Sequence, residues 1–175
     1  MTYFFITLVF VASFLSGCAD NAGSHQLLGS AMSSNQADRF SDLVITVKAD
    51  NHVTLNQTDT DRMTKLIVAD IKTTSPKRFK SINTGAPGST TLNASVAIKN
   101  YDEGSAFARF MMIGLGQMHI DAEVTLADSL SNEKMARYEV NKTFAWHGFY
   151  GALTDIKDTE VGFCKAVADA ILGKD

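Results

Sequence analysis

Charge is absent where this chain begins: no Asp, Glu, Lys or Arg precedes Cys18. A long apolar run is absent as well. Tyr3 to Leu15 supplies about 13 apolar-rich residues, short of the roughly 20 that a bilayer-spanning helix needs. No basic block follows, and the formal net charge of −3 argues against nucleic acid as a partner. It also argues against electrostatic capture by an anionic membrane. Catalytic signatures are missing too. There is no HExxH, no GxSxG and no pair of carboxylates at a useful spacing. Gly114-Leu115-Gly116 lacks the third glycine and the helix start of a nucleotide loop. The expectation is a chain that is not an enzyme and holds no metal or cofactor.

What is present at the N-terminus is an export signal. The apolar run has the length of a signal-peptide core, and Leu15-Ser16-Gly17-Cys18 resembles the lipobox of bacterial lipoproteins. That resemblance implies a signal peptide over residues 1–17 and lipidation of Cys18, with the membrane as partner through the acyl chains. Each buried methylene of such an anchor contributes about 0.8 kcal/mol. The motif departs from the usual pattern in one respect, because the α-amino group alone supplies the positive n-region. The same run also fits an ordinary cleaved signal peptide with a chance cysteine, or a short uncleaved anchor. Ala19, in place of Asp, resembles the outer-membrane default of enteric-type sorting, so the expected location is the outer membrane, facing the periplasm of a Gram-negative host. Cys164 is then the remaining thiol, which excludes an intramolecular disulfide.

Residues 18–41 read as the acylated cysteine and a flexible tether, small and polar, with an r.m.s. reach of roughly 25 Å. Residues 42–175 read as one domain. Leu43, Ile45 and Val47 share the face of a first strand. A helix follows, capped by Thr58 or Thr60 and stopped by Pro76, with Met63, Leu66, Ile67 and Ile71 as its apolar stripe. Residues 77–82 suggest a short, charge-protected edge strand. Three longer strands alternate apolar and polar residues: 92–98, 118–126 and 136–146, the last two joined by a hairpin loop at 128–133. In the third, Lys142 interrupts a set that runs on to Phe144 and Trp146. A closing helix over 155–172 places Val161, Cys164, Val167, Ala168 and Ile171 on one face. The order β-α-β-β-β-β-α predicts an α+β, two-layer domain, an antiparallel sheet with two helices packed on one face.

The chemistry-bearing residues read mostly as structure. His119, Asp121 and Glu123 share one strand face about 7 Å apart, too splayed to converge on an ion, and suggest a solvated face. Cys164 sits in a helix stripe far in sequence from His147 and reads as an inert core thiol. Met111, Met112 and Met118 lack a metal-binding repeat and read as packing. The segment Phe107 to Gly116 is different, being almost wholly apolar around Arg109 with no clean period. It reads either as a bulged entry into the 118–126 strand, turned by its glycines, or as an exposed segment that meets a partner or lipid.

The stretch YDEGSAFARFMMIGLGQMHIDAEVTLADSLSNEKMARYEV resembles the core of the DUF4410 domain of small bacterial envelope lipoproteins. Arg109, Gly114, Gly116 and Asp128 occupy the positions of that family's Arg, spaced glycines and strand-ending Asp. Ser129 to Asn132 replace a usual glycine with a longer loop. The resemblance spans roughly residues 42–172 and implies fold and compartment, not catalysis. The resulting expectation is a non-catalytic interaction or assembly component of the cell envelope. Arg109, Phe110, Met111, Met112, Gly114 and Gly116 are the candidate surface for an envelope protein partner. The alternative is a carrier of lipid or another small hydrophobic ligand, which needs a cavity between sheet and helices.

Overall fold

The structure, a computed structural model, describes residues 22–112 and 115–174. The expected signal peptide, Cys18 and Gly114 lie outside the described residues. In chain order the elements are β1 (Ser24–Leu27), α1 (Ser34–Ala37), β2 (Asp42–Ala49), α2 (Gln57–Thr74), β3 (Ser81–Ile82), β4 (Thr91–Asp102), α3 (Ala106–Met111), β5 (Met118–Asp128), β6 (Lys134–Phe144), α4 (Gly148–Leu153) and α5 (Ile156–Leu172). The strands form one sheet in the order β1-β6-β5-β4-β2-β3. The long helices α2 and α5 lie together against one face, so the two-layer α+β architecture is as expected.

The core follows from period-2 alternation. Leu43, Ile45 and Val47 of β2 point inward with Leu92, Val96 and Ile98 of β4, Ile120, Val124 and Leu126 of β5, and Val140 of β6. Met63, Ile67 and Ile71 of α2 and Phe163, Val167 and Ile171 of α5 close over them. The opposite face keeps its polar residues in water, among them Ser95, Lys99, Arg137 and Glu139. Asp128 ends β5 and shapes the hairpin: its Oδ1 accepts from the amides of Leu130 and Ser131 at 2.8 and 3.0 Å. These donors hold its carboxyl below the usual range.

The sheet is mixed, not wholly antiparallel. β2 runs parallel to both β3 and β4, because α2 carries the chain across the sheet and brings it back in the same direction. Period 2 reports which face a residue takes and carries no strand direction, so the sequence pattern could not reveal this. The stretch read as tether also differs. Ser24–Leu27 pairs antiparallel with β6, Ser24 opposite Asn141 and Leu27 opposite Tyr138. SHQL lacks β-branched residues, and backbone pairing with an open edge fixes it instead. The edge strand at 77–82 shortens to Ser81–Ile82, since Arg78 turns inward to donate to the carbonyls of Ala37 and Phe40.

Caps explain the helix boundaries. Asn56, not Thr58 or Thr60, caps α2 in a reciprocal box with Asp59. Asp155 does the same for α5 with Asp158, and Gly173 ends it in the left-handed region. Val161 is exposed, against expectation. Glu160 takes the inward position in that turn, and Val161, one residue on, is rotated outward.

Glu160 is fully buried and joins three elements. Arg62 of α2 donates to it through Nε and Nη2 at 2.6 and 2.7 Å, and the Tyr101 hydroxyl donates at 2.8 Å. Hydrogen bonding to Glu160 raises the Arg62 pKa. Burial, then the bond to Glu160, raises that of Tyr101. Removing one member of such a pair leaves an uncompensated buried charge. Arg62→Ala is expected to lower the free energy of unfolding by about 3 kcal/mol, whereas Tyr101→Phe costs about 1 kcal/mol. Urea denaturation of the two variants checks the order.

Candidate functional site

One end of the sheet carries an apolar platform. β4 leaves it at Asp102, β5 enters at Met118 opposite Phe144, and β6 leaves it at Phe144. The two connections at this end each contain a six-residue helix, α3 and α4, and the helices pack against each other. Helices this short do not hold together alone in water, so the platform needs a tie.

Arg109 is that tie. It is 4% exposed, and its guanidinium donates to four backbone carbonyls. Nε reaches Gly151 at 2.7 Å, and Nη1 reaches Gly116 at 2.8 Å and Glu103 at 3.1 Å. Nη2 reaches Thr154 at 3.3 Å. Gly151 and Thr154 lie at the C-terminal end of α4, where carbonyls lack intrahelical donors and a positive charge is favoured. Two glycines permit this geometry. Gly116 sits at φ +72°, and a Cβ there would run into the Ser105 carbonyl. A Cβ on Gly151 would run into the carbonyl of Trp146.

The platform holds large apolar side chains in solvent. Phe107, Phe149 and Leu153 are 75%, 76% and 83% exposed, and Phe110, Met111, Met112, Leu115, Trp146 and Tyr150 are exposed beside them. Phe110 and Phe149 meet edge to face across the two connections at 5.2 Å, and Trp146 and Tyr150 do so within the second at 5.9 Å. An open groove of ≈ 900 Å³ runs along its base, lined by Phe144, Trp146, Tyr150, Thr154 and Val161 among others.

Among the residues expected to form a contact surface, Phe110, Met111 and Met112 are exposed on the platform. Arg109 does not: it points inward and builds the platform. Gly116 is a turn residue that feeds Arg109 its carbonyl. The bulged strand entry expected here is instead the helix α3, started by the Ser105 side chain accepting from the Ala108 amide. Sequence reasoning missed α4 and placed Trp146 in the buried strand set. β6 stops at Phe144, and the glycines of Trp146-His147-Gly148-Phe149-Tyr150-Gly151 were the available signal of a turn displaying aromatics.

The other candidates remain apart. His119 meets Thr143, Asp121 accepts from Asn100, and Glu123 lies 4.0 Å from Arg137, so the three do not converge. Cys164 is fully buried with its thiol near the Met63 carbonyl. Burial pushes its pKa well up, away from thiolate chemistry.

Arg109→Lys is a severe change, because one ammonium cannot span carbonyls contributed by separate segments. It is expected to cost about 2–3 kcal/mol and to speed hydrogen exchange in α3 and α4 more than in β4–β6. Uniform loss of protection across the sheet would contradict a local tie.

Comparison with solved structures finds the same fold in PelC from Paraburkholderia phytofirmans, which is described as a dodecamer. One crystal form aligns at 11% identity over 87% of this chain and 99% of that chain, with a TM-score of 0.54. A point variant of PelC aligns at 12% identity over 87% and 98%, again with a TM-score of 0.54. Likeness at such identity shows the fold alone. Among curated proteins none matches. The family model described as a domain of unknown function (DUF4410) matches residues 25–148. The match takes in β1, earlier than the sequence resemblance began, and ends at the start of α4. The chain belongs to the DUF4410 family.

Proposed function

We propose that this protein is a lipid-anchored, non-catalytic component of the cell envelope that acts through surface contact. It is held by an acylated Cys18 at the outer membrane and faces the periplasm. The observation that carries this reading is the Arg109-tied platform. A monomeric soluble domain rarely holds so many large apolar side chains in water on one continuous surface. The lipobox-like Leu15-Ser16-Gly17-Cys18 supports the anchor. No helix of the described residues is long and apolar enough to cross a membrane.

Assembly with other proteins suits the opposite, polar face of the sheet, where Lys99, Arg137 and Glu139 are exposed. PelC shares the fold and is described as a dodecamer, which makes self-assembly the first arrangement to test. The carrier reading draws on the groove beneath Trp146 and Tyr150. That groove is open to solvent at the sheet's end. Apart from an open cavity of ≈ 690 Å³ beside Leu126, Tyr138 and Ile171, the space between sheet and helices is occupied by Leu43, Ile67, Ile98, Ile120 and Phe163, so a carrier has less support.

Mild-detergent purification of the full-length tagged chain, with mass spectrometry of proteins, lipids and the Cys18 peptide, tests the reading. The expected result is an acylated Cys18 together with a stoichiometric protein companion or a defined homo-oligomer. Retained lipid on a monomer with no companion would favour the carrier, and an unmodified Cys18 would remove the anchor.

A further inference from the structure

The described chain begins at the platform end of the sheet. Since β1 runs antiparallel to β6 with Ser24 opposite Asn141, Ala22 and Gly23 lie toward the end where β6 leads into Trp146 and α4. Two bonds place that entry. Lys142 Nζ donates to the Ala22 carbonyl at 2.9 Å, and the Gly23 amide donates to Gly162 at 2.8 Å. Both Lys142 and Gly162 line the groove that Trp146 and Tyr150 share. Cys18 is four residues before Ala22, and four residues span at most ~14 Å fully extended. The 25 Å tether expected from composition is not there to hold the domain off the membrane, because its sequence is taken up by β1 and α1.

We infer that the platform is a second membrane contact, with Phe107, Phe149 and Leu153 inserting into the lipid interface beside the acyl chains of Cys18. The inference rests on the acylation of Cys18 proposed above. An anchor on so short a leash brings this end of the sheet to the bilayer surface, and the side chains found there are those an interface accepts. Phe, Met and Leu supply apolar area, and Trp146 and Tyr150 are of the type that settles at headgroup depth. The contact is apolar, not electrostatic. Charges beside the platform are Asp102, Glu103, Asp155 and Asp158 against Lys157 and the half-buried Lys142, a net negative set to which anionic lipid adds no attraction.

Trp146 is the sole tryptophan of the sequence, which makes it a native depth probe in the full-length acylated protein. The chain is reconstituted into zwitterionic phosphatidylcholine vesicles brominated either near the headgroup or near the acyl-chain ends. The expected result is a blue-shifted Trp146 emission, quenched most by bromine near the headgroup and unchanged by added anionic lipid. Phe107→Ser/Leu153→Ser, two exposed positions outside the core, should lose that quenching while keeping acylation and the far-UV circular dichroism of the parent. Three results overturn the inference while leaving the anchor intact. Trp146 of an acylated chain is quenched by aqueous acrylamide and not by bromine. It is shielded from both, as in a contact between two copies. Or the double variant is quenched like the parent. An unmodified Cys18 removes both the anchor and this contact.

Discussion

A guanidinium buried with no carboxylate paired to it among the described residues is the constraint on which this end of the protein depends. Arg109 is surrounded by carbonyl oxygens of Glu103, Gly116, Gly151 and Thr154. Dehydrating that charge is costly, and it is offset only if all these acceptors stay in place at once. The requirement runs both ways. The carbonyls hold the arginine, and the arginine fixes the connections that carry them, so two helices too short to stand alone become one rigid platform. That rigidity permits exposed phenylalanines and methionines, since a mobile apolar loop would fold back onto the body of the domain.

The platform is linked to the core through a short stretch of chain. Thr154, an acceptor for Arg109, precedes Asp155, the cap of α5, and Glu160 follows one turn later. Glu160 is neutralised where Arg109 is not. It receives both arms of Arg62 and the hydroxyl of Tyr101, and thereby fixes α5 against α2 and β4. Two arginines, Arg62 half-buried and Arg109 buried, therefore divide the labour. Arg62 sets how the helices lie on the sheet, and Arg109 sets what the sheet's end displays.

The alternating strands and the two long helices were legible because burial on one side of a sheet imposes period 2, and burial along a helix imposes an i, i+3, i+4 stripe. The parallel pairing of β2 with β4 was not, because periodicity is blind to strand direction. β1 was hidden for a different reason. Ser24 to Leu27 contribute backbone hydrogen bonds to an edge, and such bonds ask little of side chains. Segment 107–116 resisted a period because its side chains obey two opposed demands. Arg109 is drawn inward by carbonyls while Phe107, Phe110 and Met112 stay outside, which inverts the usual relation between polarity and burial. A hydrophobic pattern read at face value therefore assigned Arg109 to the surface.

Where the chain enters also decides how the domain presents itself. With β1 starting at the platform end, the strands run away from that end, and the Asp128–Glu133 hairpin stands at the far one. The proposed anchor at Cys18 would set the strands steeply to the bilayer and leave the polar sheet face turned sideways. Glu123 and Glu139 sit directly opposite each other on that face, a like-charge pairing that destabilises an isolated sheet. Arg137, 4.0 Å from Glu123, and Lys99, whose charge interacts with Glu123, offset it. The proposed anchor would leave that polar face free for a lateral partner, since α2 and α5 cover the other face of the sheet.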